Sequence, residues 1–369
     1  MTSGWTADGF GAVAVAFERN FTEQGERGAG FAAYRDGQLV VDLWGGLARP
    51  DVPWAEDTVQ LIFSGTKGLA AAAVLLLVER GVVALEAPLS KYWPEFGAAG
   101  KEAITVAEVL SHQARLPGTD FSKVDLLDHD AVAAQLAAQA PSDDPRAEFM
   151  YHATTWGWLL DELVRRTDGR PMGAFFADEF AAPLGLEVWI GLPEDLHSKA
   201  STMVAADGVL ADPAEVDPLR QLLRNPLLVP GADEIWNSPQ YRSAGLAAVG
   251  AFATARGMAR FYASLLGEVD GVRVLRPETV ELGRREIRRG IEPFWGSEMA
   301  YGAGFELKAA AAYLGAPADA FGHAGAGGSR HGAWPSRGIS FSYLMNEVRV
   351  AAPDQRPLDL LAALAEATA

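Results

Sequence analysis

Strand-like segments lie at both ends of this chain, and neither end holds enough of them to close a sheet alone. Near the start, "GAGFAAYRDGQLVVDLWGGLA" gives two β-like runs around Arg35-Asp36-Gly37; the Asp-Gly pair supplies the positive φ that a tight hairpin needs. Near the end, "YGAGFEL", "AFGHAGAGGSRHGAW" and "ISFSYLMNEV" read as further strands, and "PLDLLAALAEAT" as a closing helix. Between them, from about residue 88 to 265, the pattern is helical: "ITVAEVLSHQARLPG", "DAVAAQLAAQAP", "TTWGWLLDELVRRTDGRP", "AFATARGMARFYASLLG". Two sheet fragments without partners of their own must pair with each other. The expected fold is therefore α+β, one sheet with helices against it. Residues 1–87 and 290–369 would build an antiparallel sheet flanked by helices, and residues 88–289 a mostly helical inserted domain.

At 369 residues, 49% hydrophobic and 21% charged, the chain has the composition of an ordinary globular protein with ample core. Its formal charge of -17 would repel nucleic-acid phosphates and anionic membrane surfaces, so a small-molecule partner is expected. Cysteine is absent, which removes disulfides, thiol nucleophiles and thiolate metal ligands. The first residues, "MTSGWTADGFGAVAVAFERNF", lack the cationic start of a secretory leader. Phe10, Val13, Ala14 and Phe17 instead follow helical spacing. The longest apolar run, Leu69 to Val78, falls short of the roughly 20 residues a membrane span requires. A cytoplasmic location is expected; oligomeric state is not readable.

The chemistry is suggested by "FSGTKG", residues 63–68, ahead of the run "LAAAAVLLLVERG". We expect a short strand at "TVQLIFS" and a helix over 64–80, ended by Gly81. Ser64 and Lys67 would then share a face one turn apart. Burial beside Ala70, Ala71 and Val74 would disfavour the lysine's charged form and lower its pKa toward a value useful in proton transfer. Serine is also a common helix cap and lysine a common surface residue. This S-x-x-K, however, is the only one in the chain and opens a helix too apolar to suit a surface lysine.

Two further segments add to it. Tyr151, in "FMYHATTWGWLLDELV", precedes an amphipathic helix and is a candidate proton relay if a nearby ammonium lowers its pKa, or else a packed tyrosine with a solvated hydroxyl. Trp156 and Trp158 beside it could wall a pocket. The glycines of "FGHAGAGGS" would let a strand edge approach a ligand and offer backbone N–H groups to an oxyanion, or simply make a hairpin turn. G-x-S-x-G is absent, and the histidines at 112, 129, 152, 197, 323 and 331 never form H-E-x-x-H, so neither a nucleophile elbow nor a metal site is expected.

The order S-x-x-K, Tyr at a helix start, then H-x-G on a late strand resembles the serine β-lactamase and penicillin-recognising superfamily. The chain looks most similar to family VIII carboxylesterases and class C β-lactamases, with "LIFSGTKG", "EVLSHQARLPG", "YHATTWGWLLDELVRR", "GLAAVGAFATARGMARFYASLLG", "FGHAGAGGS" and "FSYLMN" in family order. That resemblance implies a β-lactamase/transpeptidase-like fold, an α/β sandwich built from both chain ends plus a helical domain, with the site in the cleft between them. It implies Ser64 as nucleophile, Lys67 and Tyr151 as proton carriers, the N–H groups of Ser64 and Ala326 as oxyanion hole, and no cofactor. Ala153, His323 and Gly325 would contact substrate. His323 stands where β-lactamases carry the lysine of K-T-G, and Ala153 where class C carries the asparagine of Y-x-N. Both replacements favour small neutral acyl esters over penicillins, though β-lactam hydrolysis could persist as a weak side activity. The same acyl-enzyme could serve an acyltransferase passing the acyl group to a small alcohol or amine, and a non-catalytic ligand sensor is a third reading. Arg115 stands where relatives often have glycine. The loops Gly118–Ser122 and Leu228–Gln240 are expected to set substrate choice.

Overall fold

The computed structural model describes residues 2–210, 227, 231–293, 295–310, 313–349 and 354–369. Its main sheet joins the two ends of the chain. The first end supplies β1 (Thr2–Thr6), β2 (Gly28–Arg35) and β3 (Gln38–Arg49). The second supplies β4 (Arg288–Glu292), β5 (Ser297–Tyr301), β6 (Glu306–Leu307), β7 (Phe321–Ala324), β8 (Arg330–Trp334) and β9 (Ile339–Met345). The order across the sheet is β1-β3-β2-β9-β8-β7-β6-β5-β4, antiparallel throughout, with Val52–Pro53 paired to β3. The seam between the ends is β2 on β9, in register from Ile339 opposite Arg35 to Met345 opposite Ala29.

The expected hairpin forms at Asp36 (φ 49°) and Gly37 (φ 78°), two consecutive left-handed residues that match the twist of the flanking strands. Strand β1 went unforeseen because "TSGWT" lacks apolar alternation; it is an edge strand with a largely exposed face. "YGAGFEL" is not one strand: β5 ends at Tyr301 and only Glu306–Leu307 pairs again.

Along β2 side chains alternate between two cores, as a sheet covered on both faces requires. Phe31 and Ala33 join Phe341 and Tyr343 against α1 (Gly11–Thr22) and the C-terminal helix Gln355–Ala367, whose Leu360, Leu361 and Leu364 meet Phe10, Val13 and Phe17. Ala32 and Tyr34 face the larger core. There the helix Ala255–Leu266 lies across β2, β8 and β9, with the Ser340 hydroxyl donating to the Ala259 carbonyl at 2.7 Å. That helix falls within the span we expected to be inserted, yet it covers the sheet.

The larger core is organised around α2 (Thr66–Glu79), every residue of which from Thr66 to Leu77 is buried. A helix apolar on all sides belongs at the centre of a protein. Against it lie α3 (Thr155–Asp168), ended by left-handed Gly169, and the shorter helices Val106–Leu110 and Met172–Phe176. A small antiparallel sheet, Gln60–Leu61 with Ala251–Ala253 and Val188–Ile190, ties the lead-in of α2 to this region. Among the described residues no helix is long and apolar enough to cross a membrane.

Candidate active site

Ser64 does not cap α2. It lies in a separate 3₁₀ turn, Phe63–Gly65, immediately before the helix. Phe63 holds a positive φ of 44°, uncommon for a bulky residue and sustained only where the surroundings fix it. They do so here: its ring is buried edge-on against Trp236 at 5.2 Å, and the Thr66 hydroxyl donates to its carbonyl at 2.6 Å while accepting from the Ala251 N–H at 2.9 Å. The Ser64 side chain is thereby aimed at Lys67, one turn on.

Lys67 is fully buried, with its Nζ 2.8 Å from the Ala153 carbonyl, 3.2 Å from the Ala248 carbonyl and 3.1 Å from Ser64 Oγ. Burial holds its pKa well below the ordinary lysine value. A neutral amine has two N–H donors and one lone pair, and carbonyl oxygens can only accept. A neutral amine with both donors directed to Ala153 and Ala248 would turn its lone pair to Ser64, whereas the ammonium donates to Ser64 Oγ. The Tyr151 hydroxyl donates in turn to Ser64 Oγ at 2.7 Å.

Tyr151 sits in the extended segment before α3. Its backbone N–H donates to the buried Glu292 carboxylate at 2.9 Å, and the Lys67 Nζ lies 4.8 Å from its ring centre. The sequence suggested an ammonium lowering the phenol's pKa; instead burial raises it above the usual tyrosine value, the hydrogen bond to Ser64 only partly offsetting this. The nearby carboxylates of Glu306 and Glu292 push it the same way. Behind Tyr151, His112 packs at 4.7 Å between ring centres and accepts the His152 N–H at 3.1 Å. His152 accepts the Leu116 N–H through Nε2 at 3.0 Å, so its Nδ1 carries the proton donated to the Met150 carbonyl at 2.7 Å. Burial lowers its pKa to about 4, leaving it a neutral brace.

The third side of the site is the end of β7. Gly325 is required by close approach: a Cβ there would collide with the Ile62 carbonyl oxygen and the Ser329 hydroxyl. This contact lays Gly325 and Ala326 beside the Ser64 turn. Arg356, fully buried, anchors the following bend by donating to the Gly327 carbonyl at 3.0 Å while pairing with Glu26 at 3.0 Å and Asp354 at 2.7 Å. His323 is buried with its ring centre 6.1 Å from that of Tyr151, and burial lowers its pKa to about 3. It is neutral at pH 7, more firmly than its residue type alone implied. Glu306, also buried, accepts the Ala324 N–H at 3.1 Å, and its pKa is raised by burial.

The structure thus brings Ser64, Lys67, Tyr151, Ala153, His323 and Gly325–Ala326 to one place. Trp156 is core: it donates to the Leu110 carbonyl at 3.3 Å and underlies Lys67 at 5.9 Å, while Trp158 packs on Phe121. Arg115 has a structural explanation, since its Nε donates to the Ser142 carbonyl at 2.9 Å and its guanidinium stands 3.7 Å from Glu148. Of the loop Leu228–Gln240, residues 228–230 lie outside the described residues; the remainder includes the helix Ala232–Asn237, which carries Trp236 to Phe63. Sequence reasoning missed Glu292, Glu306 and the carbonyl of Ala248. Only Glu306 left a signal, as a charged residue inside the apolar segment "YGAGFEL"; the strand that carries Glu292, "RRGIE", was not foreseen. Among the described residues no group of three His, Cys, Asp or Glu is placed to hold a metal ion.

An antiparallel sheet closed by both chain ends, with Ser64, Lys67 and Tyr151 meeting at the head of a buried helix, defines a β-lactamase/transpeptidase-like protein. A family model described as Beta-lactamase matches residues 15–366. The Esterase/beta-lactamase LipL of Mycobacterium tuberculosis is 33% identical over 353 residues, covering 92% of this chain and 81% of that protein. A penicillin-binding protein homolog from Caulobacter crescentus superposes with a TM-score of 0.90 at 35% identity, and a family VIII carboxylesterase with 0.90 at 32%, each match covering 100% of both chains. The chain belongs to the beta-lactamase family.

Proposed function

We propose that the chain is a serine hydrolase that cleaves small neutral acyl esters through an acyl-enzyme on Ser64. The observation that carries this is Ser64 Oγ held between the buried Lys67 Nζ at 3.1 Å and the Tyr151 phenol at 2.7 Å. As Oγ attacks the ester carbonyl, its proton passes to Lys67, and the N–H groups of Ser64 and Ala326 receive the oxyanion. The resulting ammonium is buried among carbonyls and aromatic rings rather than beside a carboxylate, which is costly, so the proton is readily surrendered. Tyr151 delivers a proton to the leaving alkoxide and recovers one from Lys67. Water then retraces the path to release the acid. With its pKa raised, the phenol acts as a relay rather than as a standing phenolate.

Substrate charge follows from what flanks Ser64. His323 is neutral and Ala153 offers only its carbonyl, already engaged with Lys67, so neither grips a carboxylate or an acylamino group. The name of the family VIII carboxylesterase points to ester cleavage, and that of LipL to esters and β-lactams alike. The test is turnover of p-nitrophenyl acetate and butyrate, together with mass spectrometry after a fluorophosphonate probe. An adduct on Ser64 and loss of turnover in Ser64→Ala and Tyr151→Phe are expected; turnover retained by Ser64→Ala would refute the proposal. Product analysis with added alcohol or amine separates hydrolysis from acyl transfer.

A further inference from the structure

Trp295 is a large apolar side chain left 50% exposed, and its ring centre lies 6.3 Å from that of Tyr151, with the planes at 53°. Tyr151 in turn touches Ser64 Oγ through its hydroxyl, so a single tyrosine separates the exposed indole from the nucleophile. The placement is built rather than incidental. Glu292, wholly buried at the end of β4, accepts the Tyr151 N–H through one carboxylate oxygen at 2.9 Å and the Trp295 N–H through the other at 2.8 Å. The Gly296 N–H closes the same turn onto the Glu292 carbonyl at 2.9 Å. One carboxylate therefore fixes the tip of the β4–β5 hairpin to the segment that carries Tyr151. Tyr301 stacks on Tyr151 from β5, with ring centres 6.5 Å apart and planes at 19°, so this wall of the site is aromatic.

Half-exposed indole surface at the rim of a reactive group is surface available to a ligand. The ligand is the substrate of Ser64, because the aromatic wall is continuous with that site. Its chemistry is flat and apolar, since an angled pair of rings offers a face and an edge to a third ring and the neighbouring His323 brings no positive charge.

We infer that Trp295, positioned by Glu292, contacts the apolar part of the ester and makes the enzyme discriminate in favour of aryl over small alkyl esters. This rests on the proposed Ser64 chemistry and adds to it the residue that selects substrate.

The experiment compares kcat/KM for phenyl acetate and ethyl acetate in wild type, Trp295→Ala and Trp295→Phe, each checked for a cooperative thermal transition. The differing intrinsic reactivity of the two esters cancels between variants. In Trp295→Ala the phenyl-to-ethyl ratio should fall about tenfold, mainly through KM, as expected for loss of apolar contact to one substrate; Trp295→Phe should retain most of it. Trp295→Leu, which keeps apolar bulk without the flat ring, serves the same comparison if the alanine variant does not fold. A ratio unchanged in the alanine or leucine variant, with Ser64-dependent turnover intact, overturns the inference alone. Wild-type protein that turns over neither ester overturns the proposed function as well.

Discussion

At the residue scale, the proposed role of Lys67 turns on its lone pair rather than its charge. Lys67→Arg preserves a cation but substitutes a guanidinium that does not deprotonate in proteins. It should therefore reduce kcat/KM on p-nitrophenyl esters at least about a hundredfold, the usual weight of a positioned base. A variant that kept wild-type activity would mean that Lys67 supplies charge alone. The pH profile bears on the same point. Burial lowers the Lys67 pKa well below the ordinary value, so kcat/KM should decline as pH falls through that lowered value and the lone pair is protonated, not near the ordinary lysine value. His323, with its pKa near 3, adds no inflection above pH 5. The residue types of this group were legible in S-x-x-K and in a tyrosine at a helix start. The acceptors that orient the amine were not, because the carbonyls of Ala153 and Ala248 are main-chain groups that any residue could supply.

At the scale of elements, two charged side chains join segments distant in sequence. Glu292 binds two N–H groups with two carboxylate oxygens, and glutamine can accept only through its single oxygen. Glu292→Gln should lose one charge-assisted bond, about 2 kcal/mol of stability, and lower kcat for every ester because Tyr151 shifts with the hairpin; thermal unfolding and steady-state kinetics measure the two effects. His129, at the start of the helix His129–Ala138, bridges Asp161 and Glu162 of α3, each at 3.1 Å. Burial alone would lower its pKa, but the bonds to both carboxylates prevail and raise it to about 9. A raised pKa stabilises the fold fully below the unfolded value near 6.5 and loses that contribution as pH rises through 9. His129→Gln should therefore be destabilised by on the order of 2 kcal/mol at pH 6, with the difference shrinking by pH 10. Periodicity revealed α3, the helix Ala255–Leu266 and the Asp36-Gly37 hairpin, each of which is fixed by local pattern. It could not reveal that Ser64 sits in a 3₁₀ turn ahead of α2, since an all-buried helix has no polar face to mark its first turn. Nor could it assign Ala255–Leu266 to the sheet, because an amphipathic helix declares which side is apolar and not what that side meets.

At the scale of the whole molecule, the sheet closes only when β9 near the C-terminus pairs with β2 near the N-terminus, and the unpartnered strands at each end made that pairing legible. The electrostatics of the assembled protein are legible as a sum but not as a distribution. The chain carries -17, whereas His323 and Tyr151, which flank Ser64, are held neutral by burial, and burial disfavours the charged form of Lys67. Long-range repulsion of an anionic substrate is therefore set by the surface, and neither His323 nor Tyr151 offsets it. Added salt screens such repulsion, since the Debye length shortens from about 30 Å at 0.01 M to about 10 Å at 0.1 M. For a neutral ester such as p-nitrophenyl acetate, kcat/KM should be flat across that range. For a monoester of a dicarboxylic acid it should begin lower and rise severalfold with salt, through a better encounter rate. If the anionic ester is instead preferred at low salt and loses rate as salt is added, a positive group must face the substrate, and the neutral-site account of specificity fails.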